Sequence, residues 1–174
     1  YVLANGYDSS DESAYVFQAH VFAKLRAFGD VAPCGSAFQS YWVFDWQGRR
    51  FAQYTPGWPL FLVPFVWLKM LPLAGPTALA IFAVGAARCA RRLVPIRARR
   101  AAGVVAGASI LLSATCLING GSYFSHVWVG ACFLWSMEAL ARMSEVDGWP
   151  ARALWGAAAG LALVWMAATR PTDG

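Results

Sequence analysis

Hydrophobic and polar positions divide the chain near residue 57. Residues 1–57 are mixed and carry four of the six Asp, whereas residues 58–174 are mostly apolar; the boundary is the run Tyr54-Thr-Pro-Gly-Trp-Pro59. In the mixed part, Phe17, Val21, Leu25 and Phe28 recur at intervals of four, four and three. That spacing predicts an amphipathic helix. Ser9-Ser-Asp-Glu12 has the spacing of a capping box, with Ser9 as the cap, and Gly29 is the expected stop. Between Trp42 and Tyr54, aromatic residues flank Gln47-Gly48, which predicts a hairpin.

The apolar part reads as a series of membrane spans. Ala101–Ile118 is 18 residues without a charge, Tyr123–Met137 is uncharged up to Glu138, and Ala153–Thr169 is uncharged up to Arg170. A span needs roughly 17–25 such residues. The 30 residues Trp58–Ala87 are interrupted by Lys69, Pro72 and Pro76. Trp58–Leu71 holds Pro64 and Lys69 and, at ~14 residues, is too short to cross, so it reads as an interfacial helix. The expected fold is all-α: a polytopic membrane helix bundle with spans near 71–87, 101–118, 123–140 and 153–169. Residues 1–57 form its first extracytoplasmic loop and carry short juxtamembrane helices.

Charge sets the orientation. Six of the fourteen basic residues lie between Arg88 and Arg100, flanked by apolar stretches. A short basic loop of this kind marks the cytoplasmic side. Residues 1–57, Asn119–Ser122 and Arg170–Gly174 then fall outside. No second basic cluster accompanies the block, so nucleic acid is not an expected partner.

Composition agrees with a lipid-solvated protein. Apolar residues make up 59% of the chain and charged residues 13%, with nine Trp and eleven Phe. Soluble domains are usually about 25% charged. Cys34, Cys89, Cys116 and Cys132 have no CxxC spacing and read as small apolar side chains. The chain opens on Tyr1 and stops just after an apolar segment. We expect an internal piece of a longer integral membrane protein, with N- and C-terminal parts missing.

Several polar groups gather on the expected outer side. Asp11 and Glu12 stand about 100° apart on a helix, so they hold separate roles rather than share a proton. An ionised Asp11 can accept a proton from an attacking hydroxyl. Spacing alone favours a plainer reading, in which Glu12 closes the capping box and Asp11 complements the helix dipole. His20 lies two turns beyond Glu12 with no third ligand in reach, and a solvated or interfacial His is expected. His126 starts a span, where a titratable group needs water or a partner. Arg170, at the outer end of the last span, can pair with a phosphate or anchor at the interface. One base plus charge stabilisation suits a reaction in which a hydroxyl attacks and a phosphate leaves.

These segments resemble a known family. Asp11-Glu-Ser-Ala-Tyr-Val-Phe-Gln-Ala19 resembles the DE-x-x-Y-x-x-Q-A start of the first outer loop in type C glycosyltransferases, in the bacterial branch similar to dolichyl-phosphate-mannose protein mannosyltransferases. Gln53-Tyr-Thr-Pro-Gly-Trp-Pro-Leu60 resembles that branch's Y-P-P-G-W-P-L, with Thr55 in place of the first Pro. Ala90-Arg-Arg-Leu93 is similar to the basic end of the following span. Ser125-His126 resembles a later S-H-P, with Val127 in place of Pro, and Thr169-Arg-Pro171 resembles T-R-P.

The resemblance implies an inverting membrane enzyme that takes a sugar from a polyprenyl-phosphate donor. Its acceptor would be a glycan, lipid or protein on the extracytoplasmic face of a bacterial inner membrane. It casts Asp11 as the catalytic carboxylate and Glu12 as its support. Tyr15, Gln18, Tyr54, His126 and Arg170 are the residues expected to bind substrate, and a divalent metal ion is a conceivable cofactor. The alternative is a non-enzymatic polytopic transporter or lipid-binding protein, which predicts polar residues along a pathway through the spans.

Overall fold

The structure is a computed structural model that describes residues 9–31 and 41–170. Among them are seven α-helices and three short strands: α1 Ser10–Ala23, β1 Gly29–Asp30, β2 Val43–Trp46, β3 Arg49–Ala52, α2 Gly57–Trp67, α3 Ala74–Arg92, α4 Arg99–Leu112, α5 Ala114–Gly120, α6 His126–Glu145 and α7 Trp149–Thr169. The protein is therefore mostly helical rather than all-α. Cys34 and the first eight residues lie outside the described residues.

The expected capping box forms at α1. Ser9 Oγ accepts from the Glu12 N–H, and the Glu12 carboxylate accepts from the Ser9 N–H at 3.2 Å. The far end of α1 differs from expectation. The helix stops at Ala23, Leu25 takes φ +57° and faces solvent, and Gly29 enters β1. The stripe of four apolar residues is cut because the chain folds back on itself. A Cβ at Gly29 would sit 3.2 Å from the Phe17 ring and 3.4 Å from Val21, so Gly29 packs against the helix it was expected to end. Gln18 holds this return, donating to the Ala27 carbonyl and accepting from the Ala52 N–H.

The hairpin forms as read. β2 pairs antiparallel with β3, and β1 pairs with the other edge of β3. Gln47 and Gly48 both have positive φ, +49° and +74°, as a two-residue turn matching the strand twist requires. Asp45 and Arg50 sit opposite each other and form a two-point ion pair.

The helices after α2 alternate in direction. Gly107 of α4 packs against Ala83 and Ala87 of α3, in antiparallel order, while Gly85 and Arg88 of α3 meet Trp135 and Glu138 of α6, in parallel order. α7 returns along α6, with Gly156 near Met143 and Trp165 against Trp128. Two segments are long and apolar enough to cross a membrane, Leu71–Arg92 and Trp149–Thr169. A third is added if α4 and α5, bent by 65° at Ser113, count as one. This is compatible with an integral membrane protein. α6, expected as a span at 123–140, is not among them: it runs on to Glu145 and carries Ser136, Glu138, Arg142 and Ser144 on the way. The expected interfacial helix is α2, which ends at Trp67.

The core lies at one end of this arrangement. Tyr15, Val16 and Ala19 of α1 pack on Trp58 and Leu62 of α2, with Ala74, Ala78 and Leu79 of α3 and Val127 of α6. That packing places the start of α1 above the helix ends nearest α5 and α6.

Candidate functional site

Four sequence-distant segments meet at the core end. The strap after β3 is fastened at three points. Thr55 Oγ1 donates to the Thr169 carbonyl at 2.8 Å, Trp165 Nε1 donates to the Gly57 carbonyl at 2.8 Å, and Trp58 Nε1 donates to the Tyr123 carbonyl at 2.6 Å. Gly57 is needed here because a Cβ would fall 2.6 Å from the Thr169 backbone nitrogen. The strap therefore lies directly on the end of α7 and on the turn before α6. Tyr54, Tyr123, His126 and Arg170 are brought under the first turn of α1.

The adjacent acids face different partners. Glu12 is 2% exposed. One of its oxygens accepts from the Ser9 N–H and the other from the Tyr123 N–H at 2.7 Å. Glu12 thus caps its own helix and fastens it to the α5–α6 turn. Asp11, half-buried, lies close enough to the Tyr54 hydroxyl to act on it. Burial pushes the Tyr54 phenol above the usual tyrosine range, and the Asp11 carboxylate pushes it the same way. Tyr15 adds to that rise, and Arg170 opposes it. Tyr54 stays protonated beside Asp11. Its ring lies 4.6 Å from that of Tyr15, centroid to centroid.

Arg170 caps the C-terminal end of α7 and contacts His126 Nε2 through a guanidinium nitrogen. The His126 ring meets Phe124 edge-on. Arg170 therefore lies near enough to Tyr54 to act on it, and through Tyr54 it shares an environment with Asp11. Of the residues expected to bind substrate, Tyr15, Tyr54, His126 and Arg170 belong to this cluster. Gln18 is buried one turn beyond Tyr15, with its amide engaged by backbone at both ends. His20 is exposed, as expected. Among the described residues, no three His, Cys, Asp or Glu side chains gather, so the donor set expected for a divalent cation is not assembled there.

The opposite end holds a second polar cluster that sequence reasoning missed. Glu138, 2% exposed, is met by Arg92 at 2.5 Å, Arg142 at 3.1 Å and Arg88 at 3.2 Å. Arg92 also bridges to Glu145, and Arg88 lies over the Trp135 ring. Helical spacing was the available signal: Arg88 and Arg92 lie four apart, as do Glu138 and Arg142.

Two cavities lie away from the predicted residues. One, about 450 Å³, opens beside Arg26, Asp30 and Arg49 at the hairpin. The other, about 270 Å³, is apolar and lies between α3, α6 and α7, against Ile81, Trp128, Trp135 and Trp165. Trp128 Nε1 is buried with no hydrogen-bond partner among the described residues. Compared with known proteins, the chain matches no family model, no curated protein and no solved structure.

Proposed function

We propose that this chain is part of a membrane glycosyltransferase of the polyprenyl-phosphate-sugar type, acting at the end that carries Asp11. One observation carries the reading. Asp11, Tyr54, His126 and Arg170 come from four separate segments and gather at one end of the helices, away from the arginine-rich end. A carboxylate beside a phenol, with a guanidinium nearby, has the parts that the reaction needs.

In the proposed reaction, the acceptor hydroxyl approaches Asp11, which takes its proton as the oxygen attacks the anomeric carbon. The new carbon–oxygen bond forms opposite the phosphate, and the bond from that carbon to the phosphate oxygen breaks, inverting the centre. The electron pair leaves with the lipid phosphate, whose charge Arg170 stabilises. Tyr54 orients Asp11 and lies beside the path of the sugar. Glu12 supports Asp11 by fixing the first turn of α1. Because arginine-rich ends face the cytoplasm, the Asp11 end faces outward, within a polytopic bundle in the bacterial inner membrane. The acceptor is then a glycan, lipid or protein on that side.

The test uses membranes from cells expressing the gene and labelled polyprenyl-phosphate sugars. Wild-type membranes are expected to transfer label, and Asp11→Asn membranes with the same amount of folded protein are not. Undiminished transfer by Asp11→Asn, or none by the wild type across a panel of sugars, overturns the reading.

A further inference from the structure

The arginine-rich end divides into two sets. Arg88, Arg92 and Arg142 turn inward and close around Glu138. Arg91, Arg97, Arg99 and Arg100 are exposed and form no ion pair among the described residues. The inner set has neutralised the buried acid, so the outer set stands as uncompensated positive charge. Exposed apolar side chains are interleaved with it. Leu93 is 85% and Ile96 is 77% exposed, within the turn between α3 and α4 that carries Arg97 and is flanked by Arg91, Arg99 and Arg100. Trp149, 79% exposed, begins α7 at the same end.

A purely polyanionic partner would use the arginines and leave Leu93, Ile96 and Trp149 in water. A lipid surface uses both. Phosphate headgroups pair with guanidinium, Leu93 and Ile96 reach the acyl boundary, and Trp149 sits at headgroup level. We infer that this end is a docking surface for anionic phospholipid headgroups, with Arg97, Arg99 and Arg100 as its principal contacts. The Glu138 cluster beneath it is the rigid base, and its arginines take no part in the contact. The inference is independent of the reaction at the other end.

The chain, purified in neutral detergent, is offered equal phosphatidylglycerol and phosphatidylcholine, and the retained lipid is counted by mass spectrometry. The wild type is expected to retain phosphatidylglycerol preferentially. Each arginine near an anionic surface contributes up to roughly a fivefold preference. Raising ionic strength from about 0.01 M to about 1 M shortens the screening length from about 30 Å to about 3 Å. That change should abolish the preference. R97Q/R99Q/R100Q should lose most of it at low salt, whereas R97K/R99K/R100K should keep it to within about twofold, since headgroup attraction needs charge rather than the guanidinium fork. Should the glutamine variant fail to fold, the lysine variant and the salt series decide. Equal retention of both lipids by the wild type, a salt-independent preference, or an unchanged preference in the folded glutamine variant overturns the inference. So does release of phosphatidylglycerol by millimolar inorganic phosphate or by a DNA oligonucleotide, each of which would mark a different kind of anion site.

Discussion

The two ends of the helices each bury a glutamate, and the contacts that hold it differ. Glu12 takes two backbone N–H groups, from Ser9 and from Tyr123. Glu138 takes three guanidinium groups. The first arrangement fixes backbone to backbone. Beside it, Asp11 and Arg170 both act on Tyr54. The second joins two helices through side chains and uses up the local charge. Packing follows the same division. At the Asp11 end, a Cβ on Gly75 would lie 2.6 Å from the Ser122 backbone carbonyl and closer still to that of Gly120. At the Glu138 end, a Cβ on Gly103 would meet chiefly the flexible Arg91 side chain. One end is rigid through its main chain and the other through charges that water can partly reach.

The largest effect should come from Glu138→Ala. It leaves three arginines facing one another, a change worth about 3–5 kcal/mol in a dry site. Because these arginines are partly exposed, the lower part of that range is expected, read as thermal unfolding in detergent. A loss below about 1 kcal/mol would break the contrast at this end. Gly75→Ala should follow, with about 1–3 kcal/mol lost to overpacking against backbone that cannot move aside. Gly103→Ala should stay within about 0.5 kcal/mol, and equal losses for the two would show that the ends are packed alike.

A third comparison separates the adjacent acids. Glu12→Gln removes the charge from two hydrogen bonds and should lower stability by about 1–2 kcal/mol. Asp11→Asn should lower it by less than about 1 kcal/mol, the usual scale of a helix-dipole contact, while abolishing transfer. Comparable stability losses would collapse the distinction between support and base. A small effect is also expected at Trp128. Its buried indole N–H lacks a partner among the described residues, a situation that ordinarily costs about 1–3 kcal/mol. Trp128→Phe should therefore leave stability within about 1 kcal/mol of the wild type, since relief of the unpaired N–H offsets the lost ring area. A drop of several kcal/mol would mean that the stack on Phe61, at 4.0 Å between centroids, outweighs the unpaired donor.

Local chemistry was legible where the determinants lie within a few residues. Ser9 and Glu12 name their own capping box, and Gln47-Gly48 names its turn. The apolar runs around α3 and α7 also stand out, because their hydropathy needs no partner to be read. The stop of α1 was not legible. Leu25 continues the helical stripe, but the chain turns there so that Gln18 can brace the hairpin from 34 residues away. The candidate site was legible as a list of residues on one side. Its wiring was not, since the Asp11–Tyr54 approach and the Glu12–Tyr123 bond join positions far apart in the chain. The Glu138 cluster was missed because Glu138 reads as the end of an apolar run until α3 is laid beside it.

The bend at Ser113 reaches beyond the protein itself. α4 is 14 residues long and rises about 21 Å, short of the roughly 30 Å of a hydrocarbon core. After a 65° turn, α5 runs largely sideways before Gly120 seats against Leu79. In a bilayer, this flank would present a hydrophobic height smaller than that of its surroundings. Lipids beside α4 and α5 would then thin to match it. Headgroups along that flank would ride nearer the midplane than those elsewhere, by an amount that the thickness of the surrounding membrane sets as much as the side chains do.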